Sequence, residues 1–118
     1  MDELVRMTAV EAVARLRRKE ISPLDLVEAS ARRMAEVEPA VNAMPTLCLD
    51  RARDHAKALM AGKRCEAEGE AGWLAGLPVS IKDLTDVAGY VTNEGIELIS
   101  QKFTYFLMLE IELSREFQ

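Results

Sequence analysis

Eleven consecutive residues, Gly76 to Asp86 (GLPVSIKDLTD), constrain this chain more than any other stretch. A Gly-Leu-Pro turn feeds a short apolar run, and the run ends on Lys82 with Asp83 directly behind it. Turn residues followed by Val79 and Ile81 predict a strand over Leu77 to Ile81. Alternation then places Pro78, Ser80 and Lys82 on one side, and Leu77, Val79 and Ile81 on the other. An ammonium group at the end of a buried strand is costly to desolvate. Lys82 must therefore snorkel to water or be held for chemistry. Asp83 reads as a cap for a turn or short helix over Leu84 to Gly89, rather than as an acid catalyst.

The half of the chain before this strand is helical, with clear punctuation. Thr8 followed by Glu11 has the spacing of a capping box, which predicts a helix from about Ala9 to Lys19 with Val10, Val13 and Leu16 on its apolar face. Arg15, Arg17, Arg18 and Lys19 crowd its last turns, where cations complement the helix dipole. Ser22-Pro23-Leu24-Asp25 is a second start signal, with serine as N-cap, proline at the first helical position and an acid at the third. The helix it opens should end near Val37, before Pro39. Leu24, Val27, Ala31 and Met34 line one of its faces, with Leu26, Ser30 and Val37 alongside. Both helices are short enough to need packing partners.

Asn42 to Leu49 is apolar but interrupted by Pro45, which suits an edge strand or a loop. Asp50 is the expected cap of a third helix over about Arg51 to Ala61. Ala52, Ala56 and Leu59 face inward there, and Gly62 stops it. His55 falls on the polar side of that helix beside Arg53, Asp54 and Lys57, the place of a solvated histidine. Lys63 to Gly72 reads as a loop. Near the C-terminus, Phe103, Tyr105, Leu107, Leu109, Ile111 and Leu113 occupy alternate positions, which favours a strand, while the Leu, Met and Glu content favours a helix. The architecture expected is α/β: three helices packed on a small mixed sheet that contains Leu77 to Ile81, with the C-terminal segment either strand or helix.

Composition removes several classes of function. The 118 residues make one domain at most, and 49% apolar content supplies a modest core built on few aromatics. Six methionines suit adaptable packing. Twenty acidic against fifteen basic side chains give a formal charge of −5, which argues against nucleic acid as a partner. Cys48 and Cys65 match neither a redox nor a zinc spacing, and the single His55 offers no second imidazole, so no metal is expected. Two reduced thiols are the simple reading, with a disulfide as the alternative. Acidic residues follow Met1 with no apolar stretch behind them, and no run approaches the ~20 apolar residues that span a bilayer. A cytoplasmic chain without membrane contact is the expectation.

The order of features from Thr8 to Thr92 resembles the N-terminal part of the amidase signature hydrolases. The residues that carry the likeness are Ile21-Ser22-Pro23-Leu24-Asp25-Leu26-Val27, then Val41-Asn42-Ala43, then the Ala52 to Met60 helix. Leu74-Ala75-Gly76-Leu77-Pro78-Val79-Ser80-Ile81-Lys82-Asp83 follows, with Val87-Ala88-Gly89-Tyr90 and Thr92 behind it. The strand motif is specific, and the helical part alone is not. The resemblance implies that Lys82 is a catalytic base. In the family such a lysine hydrogen-bonds a serine held by a cis peptide, and that serine relays a proton from a second, nucleophilic serine. Backbone amides of a Gly/Ser-rich loop hold the oxyanion. The implied substrates are carboxylic amides, with neither metal nor organic cofactor.

In the family the relay serine, the nucleophile and the oxyanion loop lie downstream of the segment that this chain resembles. After Thr92 the residues Asn93-Glu94-Gly95-Ile96 replace the family's usual second threonine and Gly-Ser pair. Residues 1–92 thus form the expected partial amidase signature domain, and 93–118 a divergent tail packed on it or extending it. Ser80 shares a strand face with Lys82, but side chains at i and i+2 run parallel, and a small residue that allows close packing is the simpler role. Ser100 and Ser114 have no motif around them. The expectation is an amidase-type chain that is inactive alone. The alternatives are a small interaction or homo-oligomerising protein, a chain completed by another that supplies the missing groups, or a frameshifted product without selected function.

Overall fold

The structure is a computed structural model that describes residues 2–44, 46–62, 71–82 and 104–108, with Lys82 and residues 104–108 described as backbone only. After a 3-10 turn at Glu3–Arg6, helix α1 covers Ala9–Arg17. The Thr8 hydroxyl accepts the Glu11 backbone N–H at 3.2 Å, while the Glu11 carboxylate turns to Arg15 at 2.6 Å instead of closing the box. The helix stops two residues short of Lys19 because Lys19 adopts φ 57. Its N–H donates to the Leu16 carbonyl and that of Glu20 to the Arg15 carbonyl, the paired bonds of a Schellman ending. The inward face keeps the expected Leu16 but turns toward Ala12 and away from Val10. Ala12 and Leu16 are buried, whereas Val10 is 82% exposed. Residues four apart lie only about 40° apart around a helix, while Val10 and Leu16 are separated by about 120°.

Helix α2 covers Pro23–Val41 and carries a complete capping box. Ser22 Oγ accepts the Asp25 N–H at 3.1 Å, and Asp25 Oδ2 accepts the Ser22 N–H at 2.9 Å. The Ser22 hydroxyl and then its backbone N–H hold the Asp25 carboxyl below its ordinary range, and a hydrogen bond from Arg53 does the same for Glu28. A carboxyl depressed by folding stabilises above its unfolded pKa, and that contribution is lost as pH falls through the folded value. The urea midpoint should therefore be level near neutrality and fall below about pH 4. Ser22→Ala should cost about 1 kcal/mol at neutral pH and flatten that acid slope. An unchanged slope in that variant would count against the assignment.

The second helix runs four residues beyond the expected Val37 stop, with Pro39 inside its last turn. Proline removes one N–H, but Asn42 still donates to the Glu38 carbonyl at 2.8 Å. The Glu38 side chain in turn accepts the Met44 N–H at 2.7 Å, so the exit from the helix is tied down. Asn42 itself sits in the left-handed region at φ 49 and ends the helix as a C-cap.

Helix α3 covers Leu49–Met60, beginning two residues before the expected Arg51. Its N-cap is Cys48, which makes no side-chain cap bond, and Asp50 lies within the first turn facing Arg53 at 3.2 Å. Gly62, at φ 81, stops it as expected. Cys48 is a free thiol and buried, whereas Cys65 lies outside the described residues. His55 is half-buried rather than fully solvated.

Three short strands, β1 (Thr46–Leu47), β2 (Pro78–Lys82) and β3 (Thr104–Met108), pair in the order β1-β3-β2. β1 runs parallel to β3, with Thr46 opposite Tyr105. β2 runs antiparallel to β3, with Ser80 opposite Phe106 and Lys82 opposite Thr104. Of the alternating C-terminal segment, only residues 104–108 fall within the described part, and they are extended.

Two clusters of buried side chains hold the helices. Ala12, Leu16, Leu26 and Ala75 form one, with Leu4, Met7, Ile21, Trp73 and Leu77 packed on it. Val27, Ala52 and Ala56 form the other, where α2 meets α3, with Leu24 and Leu59 alongside. Across the second junction Arg53 donates to both carboxylate oxygens of Glu28 through Nε and Nη2, one edge of its guanidinium, at 2.7 and 3.2 Å. That planar two-bond geometry fixes how the two helices align.

Candidate functional site

The strand that carries Lys82 is launched from a tight turn. Leu77 N–H donates to the Leu74 carbonyl at 3.0 Å, closing a four-residue turn around Ala75 and Gly76. Both central residues have positive φ, 54° and 90°, the signature of a type I′ turn. Gly76 meets that demand without strain; Ala75 meets it only because it is held in the first cluster, 8% exposed.

Gly76 is also where three elements come closest. A Cβ built there would lie 2.8 Å from both Cβ and Cγ of Pro23, and 3.1 Å from Leu59 Cδ1. The first residue of α2 and the end of α3 therefore pinch the turn from two sides. From α1, Arg17 Nη2 donates to the Trp73 carbonyl at 2.9 Å. The same guanidinium lies 5.8 Å from the centre of the Trp73 ring, within the range of a cation–π contact. Sequence reasoning assigns Arg17 to the helix dipole and misses this contact. A hint is present in the single tryptophan next to the motif, since a large aromatic beside a glycine turn needs a partner.

Beyond the turn the strand alternates as its residues require. Ile81 is buried and Ser80 exposed, with Val79 and Pro78 between the two. The strand begins one residue later than expected and includes Lys82 as its last member. Ser80 and Lys82 occupy the same strand face by position, and Lys82 stands opposite Thr104 in the ladder. Asp83, Ser100 and Ser114 lie outside the described residues. No group of metal-ligating side chains occurs among the described residues. Nor is any helix among them long and apolar enough to cross a membrane.

These elements carry the motif on which the comparisons with known proteins converge. The profile of the family described as Amidase matches residues 25–104, from the first turn of α2 through β2 and past Thr92 to the start of β3. The chain belongs to the amidase signature family. Among curated relatives, it is 41% identical over 93 residues to a subunit of the glutamyl-tRNA(Gln) amidotransferase from Mesorhizobium japonicum, covering 79% of this chain and 17% of that protein. It is 36% identical over 98 residues to the protein of the same name from Pelobacter propionicus, covering 83% of this chain and 20% of that one. The chain thus spans about a fifth of the length of the relatives it matches. No solved structure matches it.

Proposed function

We propose that this chain carries the lysine-bearing part of an amidase signature active site, with Lys82 as the base of a Ser-cisSer-Lys set whose two serines lie outside these 118 residues. The observation that carries the reading is the Gly76–Lys82 turn and strand, lying within a family match that spans residues 25–104. In the complete site, the neutral Lys82 amine takes a proton through the relay serine as the nucleophilic oxygen bonds to the amide carbon. The C–N bond then breaks, the proton leaves with the amine, and water releases the acyl group. On this reading residues 1–92 form a partial α/β domain with its helices on a small mixed sheet, 93–118 extend it, and the chain works in the cytoplasm.

On this reading the nucleophile and the oxyanion site come from other residues, and a base without them cannot carry acyl transfer. The relatives are named as subunits of an amidotransferase, which supports a role within an assembly. The formal charge of −5 gives no reason to assign tRNA contact to this chain itself. The purified chain should release no ammonia from simple carboxylic amides. Co-expression with a chain supplying the remainder of an amidase signature enzyme should produce hydrolysis that Lys82→Ala removes. Hydrolysis by the lone chain, abolished by Lys82→Ala, would overturn the proposed dependence on other residues. Hydrolysis by the assembled enzyme that survives Lys82→Ala would overturn the role of the lysine.

A further inference from the structure

We propose that Arg17 and the turn it holds are positioning elements for Lys82, an inference that rests on reading Lys82 as the base. Three contacts converge on the four residues before Leu77. Arg17 grips the Trp73 carbonyl and lies over its ring, Ala75 is buried in the cluster shared by α1 and α2, and Gly76 is wedged between Pro23 and Leu59. One residue from each of the three helices, Arg17, Pro23 and Leu59, thus meets this segment. β2 leaves this turn directly, and its pairing with β3 sets which residues are opposed. The turn sets the point at which the strand leaves the helical layer, and the packing of β2 on α2 and of β3 on α3 shares in fixing its direction.

The distance from Pro78 to Lys82 is four residue steps, about 13 Å. A tilt of about 10° at the turn therefore displaces residue 82 by about 2 Å. Displacements of about 1 Å are enough to cost a catalytic group roughly a hundredfold in rate. The Arg17 contact is well suited to resist such a tilt. A planar guanidinium that both donates to a carbonyl and stacks on the adjoining ring fixes position and orientation together, which a point-charge ammonium does less well.

Trace acetylation with acetic anhydride on the 118-residue chain tests this. Mass spectrometry reads the labelling of Lys82 against exposed Lys57 as internal standard, from about pH 7 to pH 10, a span that brackets the ordinary lysine range. In the wild-type chain Lys82 should follow a pH profile distinct from that of Lys57. Arg17→Ala should change the Lys82/Lys57 ratio about threefold or more, corresponding to about half a pKa unit, and Arg17→Lys, which keeps the charge without the planar contact, should restore only a minor part of it. Emission from Trp73, the only tryptophan, reports independently that the contact has been lost. Should Arg17→Ala fail to fold, Arg17→Gln, which keeps a donor without the charge, gives the same reading. A ratio unchanged while Trp73 emission shifts would overturn the positioning role and leave the base reading intact. A wild-type Lys82 that labels like Lys57 would also overturn this inference, because the lysine would then have no distinct setting for Arg17 to hold, whereas the base reading is tested by Lys82→Ala in the assembled enzyme.

Discussion

Gly76→Ala should be among the most damaging single substitutions in the chain, with an expected loss of about 2–5 kcal/mol in urea unfolding. Two costs combine. At φ 90 an L-residue pays about 1–2 kcal/mol for the left-handed backbone. The added methyl would also stand 2.8 Å from two ring carbons of Pro23 and 3.1 Å from Leu59 Cδ1. Leu59 has a flexible end that can yield, but Pro23 has none. Its ring is rigid and sits at the first position of a helix whose capping box is fully formed. Overpacking of this kind adds about 1–3 kcal/mol. Gly62→Ala is the matched control, because φ is 81 there while nothing lies within 4 Å of the added atom. It should show the backbone cost alone. Equal losses at the two glycines would mean that the pinch between Pro23 and Leu59 contributes nothing.

The second large effect is expected at the α2–α3 junction. Ala52 and Ala56 are both fully buried, against Val27 in the facing helix. Two small residues four apart let the helix backbones approach closely, so the space that leucine would need is already taken. Ala56→Leu should cost about 2–3 kcal/mol, although leucine is nearly as good a helix former as alanine. The loss is therefore one of packing. If the helices separate to admit the side chain, the paired bonds between Arg53 and Glu28 must lengthen as well. Lys57→Ala, one residue on and exposed, should stay within about 0.5 kcal/mol of wild type. A neutral Ala56→Leu would show that the junction is loose and that Arg53 and Glu28, rather than close packing, hold it.

Local chemistry was the legible part of this fold. The start of α2 could be read from Ser22-Pro23-Leu24-Asp25 because every bond of the cap lies within four residues. The stop at Gly62 and the strand over Pro78–Lys82 were legible for the same reason, as was the family, whose motif is contiguous. Where packing competes with local preference, the reading failed. Val10 has the right spacing for a core face, yet the face that finds partners is the one through Ala12 and Leu16. Pro39 should stop a helix, but Glu38 secures both the Asn42 N–H and the Met44 N–H, and the helix passes it. Asp50 is a good cap residue placed two positions too late, because the helix starts from the buried Cys48.

The site divides along the same line. By itself, the sequence determined that a lysine ends a strand launched from a turn at Gly76, and to which family such a strand belongs. Both follow from residues adjacent in the chain, whose turn and strand preferences act over a few bonds. The turn closes over Leu74 to Leu77 and not over the expected Gly-Leu-Pro. Only the tertiary structure decided what holds that turn. Arg17 lies 56 residues from Trp73, and Pro23 and Leu59, which pinch Gly76, belong to two separate helices. Contacts at such separations depend on how three helices fold back on one another, and no short-range pattern records that.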